Sequence, residues 1–505
     1  MFEFLLGTPN VLIVLFLLLG LTFWRFSTPT LRFPPGPPSS WFIGNILSLP
    51  TKSAWISLTQ LGSKYGDLVC FRGLGTTILV LNSMEAINDL LDRRASIYSH
   101  RPIFTFLGEI MGVDQGIPML QHGPEWRLQR KLAASGLNST AVRRYIPLQE
   151  DLAALLAKKL LDSPERFFSH VRLTAGRIVV GVAYGFPISE IDSMYIDQAE
   201  QTMELVGRAT VPGAFLCDFF PILKYLPSWV PFRRLGAYGN RMVSTLVSSP
   251  FDHVKRNIVQ GIASPSITEQ LLRSEMFENT AEREHHIKWS MGSLYGAGAE
   301  TTYATTLIFM MAMALHPEAQ HKAQAEIDRV VGHNKIPRID DASRLPYVGA
   351  LIKEVMRWHP VLPLSIARRT AEADQYRGFD VPRDTIIIPN VWAIAFKPCS
   401  KYDVKSFIPE RFLDEEVKVD DPALWAFGFG RRICPGKALA ENSIFALISS
   451  ILAQFEISPI EGHSINQDFG KNLVSYPEPF EVRIAARSME AVDLIQARSV
   501  SCFCL

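Results

Sequence analysis

The chain has 505 residues, 48% of them hydrophobic and 20% charged, enough to bury a large core and an internal cavity. Its 51 basic and 50 acidic residues leave a formal net charge of +1, which argues against a nucleic-acid binder. The six cysteines, Cys70, Cys217, Cys399, Cys434, Cys502 and Cys504, form no CxxC and no Cys/His cluster at zinc spacing. The protein is therefore neither a disulfide scaffold nor a zinc protein, and its cysteine usage suits a reducing compartment.

At the N-terminus, residues 4–24 are apolar apart from Thr8, Asn10 and Thr22. That is about the ~20 residues a helix needs to cross a bilayer. Glu3 precedes the run, and Arg25 and Arg32 follow it. The positive-inside rule then leaves the body on the cytosolic side. A cleaved signal peptide would want a positive start and small residues at its end; this run ends Phe23-Trp24-Arg25-Phe26. The organisation expected is an anchor over residues 1–25, a proline-rich linker over 26–50 and one large domain over 51–505. The linker carries Pro34-Pro35-Gly36-Pro37-Pro38, a stiff spacer because proline fixes φ and donates no backbone hydrogen bond.

The body opens with a helical stretch and then two β-rich runs, residues 69–73 and 77–81, around a glycine turn. Helical periodicity dominates from Met84 onward. Residues 282–316 are long, apolar and free of proline, and read as one buried helix. Strand signal returns at 385–389. No composition shift marks a domain boundary, so the fold class expected is mainly α with a small β region in a single domain.

The most informative segment is Phe427-Gly428-Phe429-Gly430-Arg431-Arg432-Ile433-Cys434-Pro435-Gly436. Its form is F-x-x-G-x-R-x-C-x-G. The glycines allow tight turns and the close approach of a flat partner. Arg432 stands two residues before the cysteine, placed to pair with a carboxylate on that partner. A helix is expected over 437–452, and a sulfur near its N-terminus with arginine nearby has its thiolate favoured. This segment resembles the haem-binding loop of the cytochrome P450 family, in which a cysteine thiolate ligates the haem iron.

Further segments resemble the same family in the same chain order. Glu354 and Arg357 form an ExxR on a helical run, both on one helix face; by itself such a pair is weak, since most are solvated. Arg411 lies in Pro409-Glu410-Arg411-Phe412. The resemblance implies that Glu354, Arg357 and Arg411 form a buried structural network. Ala297-Gly298-Ala299-Glu300-Thr301-Thr302 lies inside the long helix. Glu300 and Thr301 resemble the family's acid–alcohol pair, which passes protons to dioxygen, and Gly298 leaves room for a small ligand. The bland alternative is a packing glycine with threonine hydroxyls bonded back to the i−4 carbonyls. Trp126 and Arg130 form a WxxxR, one helical turn apart, and the resemblance brings both near the haem propionates. Arg368 stands where the family usually has His or Arg, although Ala367 replaces the usual proline.

The resemblance implies a haem b cofactor with Cys434 as axial ligand and with Phe427, Gly436, Arg432, Trp126, Arg130 and Arg368 around it. It implies a monooxygenase. No flavin, ferredoxin or NADPH-binding motif is present, so electrons must come from an NADPH-dependent P450 reductase, with cytochrome b5 as a second candidate donor. Arg130, Lys131, Arg143, Arg144, Arg431 and Lys437 are a candidate docking face. Apolar segments at 102–120, 206–232, 361–366 and 473–476 are candidate walls of a pocket for a lipophilic substrate; ordinary core is the alternative. The placement implied is the endoplasmic reticulum membrane, single-pass, with a cytosolic catalytic domain. The wording around Trp126 and Pro409 resembles fungal members, which implies secondary metabolism, terpenoids among its substrates. Two rivals remain: a haem-thiolate isomerase or dehydratase needing no reductase, and a haem-binding protein without catalysis.

Overall fold

A computed structural model describes residues 31–40, 43–50, 52–186, 193–210, 214–274 and 280–503. The expected anchor lies outside the described residues. Among those described, no helix is long and apolar enough to cross a membrane.

The chain first forms helix α1 (Ala54–Tyr65) and the hairpin β1 (Leu68–Gly73) and β2 (Thr76–Leu81). The hairpin closes on Leu74 and Gly75, both at positive φ. Its strands pair antiparallel, Phe71 opposite Ile78. The four-stranded sheet is completed much later in the chain by β3 (Arg368–Arg369) and, after the small hairpin of β4 (Asp374–Tyr376) and β5 (Phe379–Val381), by β6 (Ile386–Pro389), in the order β1-β2-β6-β3. β6 runs parallel to β2 and antiparallel to β3.

The proline-rich linker differs from the free spacer expected. Cys70 N–H donates to Pro35 O at 2.9 Å, and Asn45 Nδ2 donates to Pro37 O at 2.8 Å. A Cβ on Gly36 would lie 2.0 Å from Cys70 O. Prolines keep the segment extended, and its free carbonyls satisfy the edge of β1, so residues from about Pro34 belong to the folded body.

The helical part is built around one central rod. Helices α2 (Pro124–Leu137), α3 (Ile146–Asp162), α4 (Phe167–Tyr184), α5 (Ser193–Ala209), α6 (Pro231–Gln260) and α7 (Ile267–Arg273) precede α8 (Ala281–Leu315). α9 (Pro317–Val330), α10 (Pro346–Trp358), α11 (Lys437–Gln454) and α12 (Met489–Phe503) follow, with the short hairpin β7 (Phe455–Ser458) and β8 (Arg483–Ala486) before α12. α8 starts on the Thr280 side chain, which accepts from Arg283 N–H at 3.2 Å, with Glu282 and Glu284 in its first turn. Both features stabilise a helix N-terminus. α8 packs on α2, α4, α6 and α11. A helix covered on several sides is apolar all round, and the run from Thr302 to Ala314 is buried without a break. The largest core cluster joins it to α3, α9, α10 and α11.

Candidate haem-thiolate site

The cysteine loop is held by its backbone. Cys434 N–H donates to Phe427 O at 2.8 Å, and Gly428 and Gly430 sit at φ +78° and +50°. A Cβ on Gly430 would lie 2.0 Å from Leu91 O, so only glycine fits where the loop crosses residues 91–92. α11 begins at Lys437, directly after Gly436. A Cβ built on Gly436 would lie 4.0 Å from both the Cys434 sulfur and Leu294 of α8. Gly436 thus lies beside both the Cys434 sulfur and Leu294 of α8. Burial, the largest influence, pushes the Cys434 thiol up; Gly436 N–H and Arg130 pull it the other way. The helix N-terminus and the arginine expected beside the sulfur are both present.

Just past Leu294, the buried run of α8 breaks. Residues 297–301 interrupt its buried run, and Ala297 is exposed in the middle of the rod. Thr301 Oγ1 donates to Ala297 O at 3.1 Å; Thr302, Thr305 and Thr306 make the same i−4 bond. The bland reading of these hydroxyls therefore also holds. Gly298 does not leave room for a ligand: its Cβ would lie 3.0 Å from Val179 Cγ2, so its small size serves the close contact of α4 and α8. Glu300 and Thr301 are neighbours in the chain but face different surroundings. Glu300 lines a small cavity with Arg172, Glu200 and Tyr303. Burial raises its carboxyl above the usual range, and Arg172 lowers it.

Beside the cysteine loop lies a cluster of arginines. Arg432, 7% exposed, donates to Ser99 O, Ile117 O and Leu120 O at 2.9, 3.1 and 2.7 Å. Arginine carries five N–H groups, so two remain for a carboxylate, and much of its role is tying the loop to residues 99–120. Arg130 Nη1 donates to Ile433 O at 2.6 Å, and its guanidinium lies 5.5 Å from the Trp126 ring centre; that of Arg432 lies 4.6 Å away. Arg368 is 2% exposed and donates from Nη2 to Phe429 O at 2.9 Å. Its Nε and Nη1, and the Nε1 of Trp126, are buried without a partner. Burial and the charges of Arg101, Arg432 and Arg130 hold Arg368 well below the ordinary arginine range. Among the described residues no carboxylate pairs with any of these four arginines.

Sequence reading missed Arg101. It is 4% exposed, donates to Pro118 O, Ile366 O and Ala367 O, and is pushed down to about 9 by burial. An Arg-Pro dipeptide carries no signal that distinguishes it from a surface residue. His122, a further residue of this cluster, lies 5.1 Å from the Trp126 ring centre and is pushed down to about 4 by burial and then by Arg432 and Arg431.

On the far side of the loop, Glu354 is fully buried. Arg357 reaches it through Nε at 2.7 Å and Nη2 at 2.8 Å, and Arg411 through Nε at 3.1 Å. The spare guanidinium N–H groups donate to the carbonyls of Asp403, Val404 and Ser406. Glu354 also accepts from Ile408 N–H at 2.7 Å. Both Glu354 oxygens and all three Arg357 nitrogens are hydrogen-bonded, the condition under which a buried pair survives; breaking one costs ~3–5 kcal/mol.

The candidate pocket segments meet. Phe106 stacks on Phe215 with ring centres 3.5 Å apart, and Met111, Val206, Cys217 and Trp289 join them in one buried cluster. Ile366 packs on its edge, whereas Val361 and Tyr476 pack against the central core instead.

The unpartnered N–H groups and clustered cations fit one kind of guest: a flat group bearing two carboxylates that meets the Cys434 sulfur on one face and α8 on the other. A haem b, with its two propionates, fits those residues. The fold and site thus define a haem-thiolate protein. A cytochrome P450 family model matches residues 34–484. The chain is 36% identical to cytochrome P450 monooxygenase claR of Ampulloclitocybe clavipes, over 97% of this chain and 94% of that protein. It is 38% identical to cytochrome P450 monooxygenase COX2 of Coprinopsis cinerea, over 93% and 92%, and 35% identical to cytochrome P450 monooxygenase 208 of Postia placenta, over 92% of each. The chain belongs to the cytochrome P450 family and is a P450 monooxygenase with a haem b cofactor and electrons from a reductase.

Proposed function

We propose that this monooxygenase is anchored in the endoplasmic reticulum membrane by residues 1–25, with its catalytic domain cytosolic, and oxidises a lipophilic small molecule with electrons from NADPH–cytochrome P450 reductase. The observation that carries the site assignment is the set of buried, unpartnered N–H groups on Arg368 and Trp126 beside Cys434.

Bound haem supplies the redox chemistry by which dioxygen is activated. Cys434 would hold the haem iron through its sulfur, whose buried thiolate form needs a positive charge beside it. Arg368, Trp126, Arg432 and Arg130 would hold the propionates by hydrogen bonds to their carboxylates, and Phe427 and Gly436 would form the bed. Thr301 holds a proton at its hydroxyl on the open side of α8, and Glu300 replenishes it. Glu354, Arg357 and Arg411 hold the irregular segment of residues 403–411 on α10 and are structural in this reading.

The membrane reading has support in the segment after α5. Leu216, Ile222, Tyr225 and Trp229 are 68%, 76%, 78% and 75% exposed. Aromatic and apolar residues of this kind favour the bilayer interface. Their inner neighbours Phe215 and Cys217 belong to the pocket cluster, so lipid-dissolved substrate has a short way in. The exposed bases Lys131, Arg143 and Arg431 support a reductase-docking face around Arg130 and Lys437, and cytochrome b5 is a second donor for the same face. The relatives are fungal, and secondary metabolites, terpenoids first, are the class to screen.

The test is a carbon monoxide difference spectrum of the reduced protein beside Cys434→Ala. A strongly red-shifted Soret band in the wild type and its loss in the variant are the expected result. A well-folded wild type without that band overturns the assignment of Cys434. Substrate-dependent NADPH oxidation in vesicles with the reductase then tests the electron source.

A further inference from the structure

A hollow of about 210 Å³ opens to the surface between α6, the N-terminal part of α8 and the turn of residues 111–115. It is smaller than the ~300–1,000 Å³ of a site for a drug-sized ligand. On α6, Asn240, Val243, Ser244, Val247 and Ser248 face it, at the i, i+3, i+4, i+7 and i+8 positions of one helix face. Val243 and Val247, with Met111 and Trp289, form a buried floor, and these four also belong to the cluster that holds Phe106 and on which Phe215 packs. The rim is polar. Asn240 donates to Met111 O at 3.1 Å and Gln115 to Gly112 O at 3.2 Å, so their amides hold the turn in place. His285 and Lys288, one turn apart on α8, complete the rim. Among the described residues no acidic side chain lines the hollow. Among them, too, neither the Lys288 ammonium nor the hydroxyls of Ser244 and Ser248 have a hydrogen-bond or ion-pair partner. Burial, and then His286 and Lys288, hold the His285 imidazole below its ordinary range, while Glu125 and Glu282, outside the hollow, act the other way. At neutral pH the full charge on the rim is therefore the positive one of Lys288.

We propose that this hollow binds a small organic monocarboxylate, at a site separate from the haem and from the substrate pocket: Lys288 pairs with the carboxylate, Ser244 and Ser248 donate to it, and its apolar body rests on Val243, Val247 and Trp289. A single ammonium with no counter-ion beside it matches one negative charge, and hydroxyl donors to that charge strengthen the match. A bare inorganic anion leaves the apolar floor in water, whereas an acid with a ring or a short chain covers it. Asn240 and Gln115 already fix the rim, so binding orders little further chain. The floor is the back of the cluster around Phe106 and Phe215. An acid seated on it fastens α6 to α8 there, and substrate and acid then act on the same four side chains from opposite sides.

The test is isothermal calorimetry of benzoate on the full-length holoenzyme in detergent, with an azole held on the haem iron so that the substrate side is filled. One benzoate is expected to bind, with a dissociation constant of about 1 mM. Benzamide, which has the shape without the charge, is expected not to bind. Lys288→Met is expected to weaken benzoate by about tenfold or more, and Lys288→Arg to keep most of the affinity. Ser244→Phe, at an exposed position of α6, fills the hollow and is expected to abolish binding while the Soret spectrum and the melting temperature stay as in the wild type. Benzoate that binds Lys288→Met and Ser244→Phe as it binds the wild type overturns the proposal, and so does benzamide binding equal to that of benzoate. Inorganic phosphate that binds as tightly as benzoate overturns the monocarboxylate assignment. Benzoate displaced by the azole sits on the substrate side, which overturns a separate site. A wild type that takes the azole and gives no saturable heat with benzoate overturns the proposal outright.

Discussion

Arg368 concentrates the physical argument about the site. A guanidinium 2% exposed, with two nitrogens unpartnered and three other arginines acting on it, is costly in an empty chain. It becomes favourable only when a carboxylate sits against it. Arg368→Met is therefore expected to stabilise the haem-free chain, by about 1–3 kcal/mol, while weakening haem retention. Urea melts of the haem-free form and haem transfer to apomyoglobin measure the two effects, and a haem-free form that loses stability contradicts the reasoning. A second residue-scale expectation concerns His359. It is 4% exposed, stacks on Phe469 at 3.5 Å and meets Ser475 Oγ at 2.8 Å. Burial pushes its imidazole down to about 3, against ~6.5 when unfolded. Between those values the unfolded chain binds the extra proton, so stability falls as pH falls from about 6.5 toward 3, by up to about 1.4 kcal/mol per pH unit. His359→Gln removes that slope, as denaturant melts from pH 4 to 7 will show.

At the scale of elements, the cysteine loop is a backbone device. Gly430 combines φ +50° with a Cβ direction blocked by Leu91 O. Gly430→Ala costs more than the ~1–3 kcal/mol of a strained φ alone, because the loop must also lift off residues 91–92. The expected outcome is a folded helical body that loads little haem, read by circular dichroism beside the Soret absorbance. The buried Glu354 network does the matching work on the other side. It joins α10 to residues 403–411, which precede the Cys434 loop in the chain. α12 lies beyond the family match at 484, packs on α3 through Ile495, and pairs Arg498 with Asp151 at 2.6 Å.

For the whole molecule, the distribution of exposed apolar side chains matters more than net charge. The charge is near zero overall, while residues 216–229 present a patch no buried element covers. Removal of residues 1–30 is expected to leave measurable binding to neutral phospholipid vesicles, carried by that patch. The double substitution Trp229→Ser and Tyr225→Ser in the shortened chain is expected to abolish it in a flotation assay. Full release by the shortening alone contradicts an interfacial role for the patch.

Much of this was legible beforehand, and the particular residues explain why. The hairpin of β1 and β2, the rod α8 and the helices around ExxR and after Cys434 follow from periods of 2 and 3.6 and from glycine and proline. These are local rules, so they survive without tertiary knowledge. The sequence by itself determined the family, because F-x-x-G-x-R-x-C-x-G is contiguous and its backbone demands are local. It could not reveal that Gly298 serves Val179, that Arg432 is largely spent on three carbonyls, or that Arg101 and Arg172 belong to the story. Those facts depend on which groups far apart in the chain become neighbours, as Arg432 and Ser99 do. Only the tertiary structure decided them, because burial, the removal of water from a charge, is a property of packing.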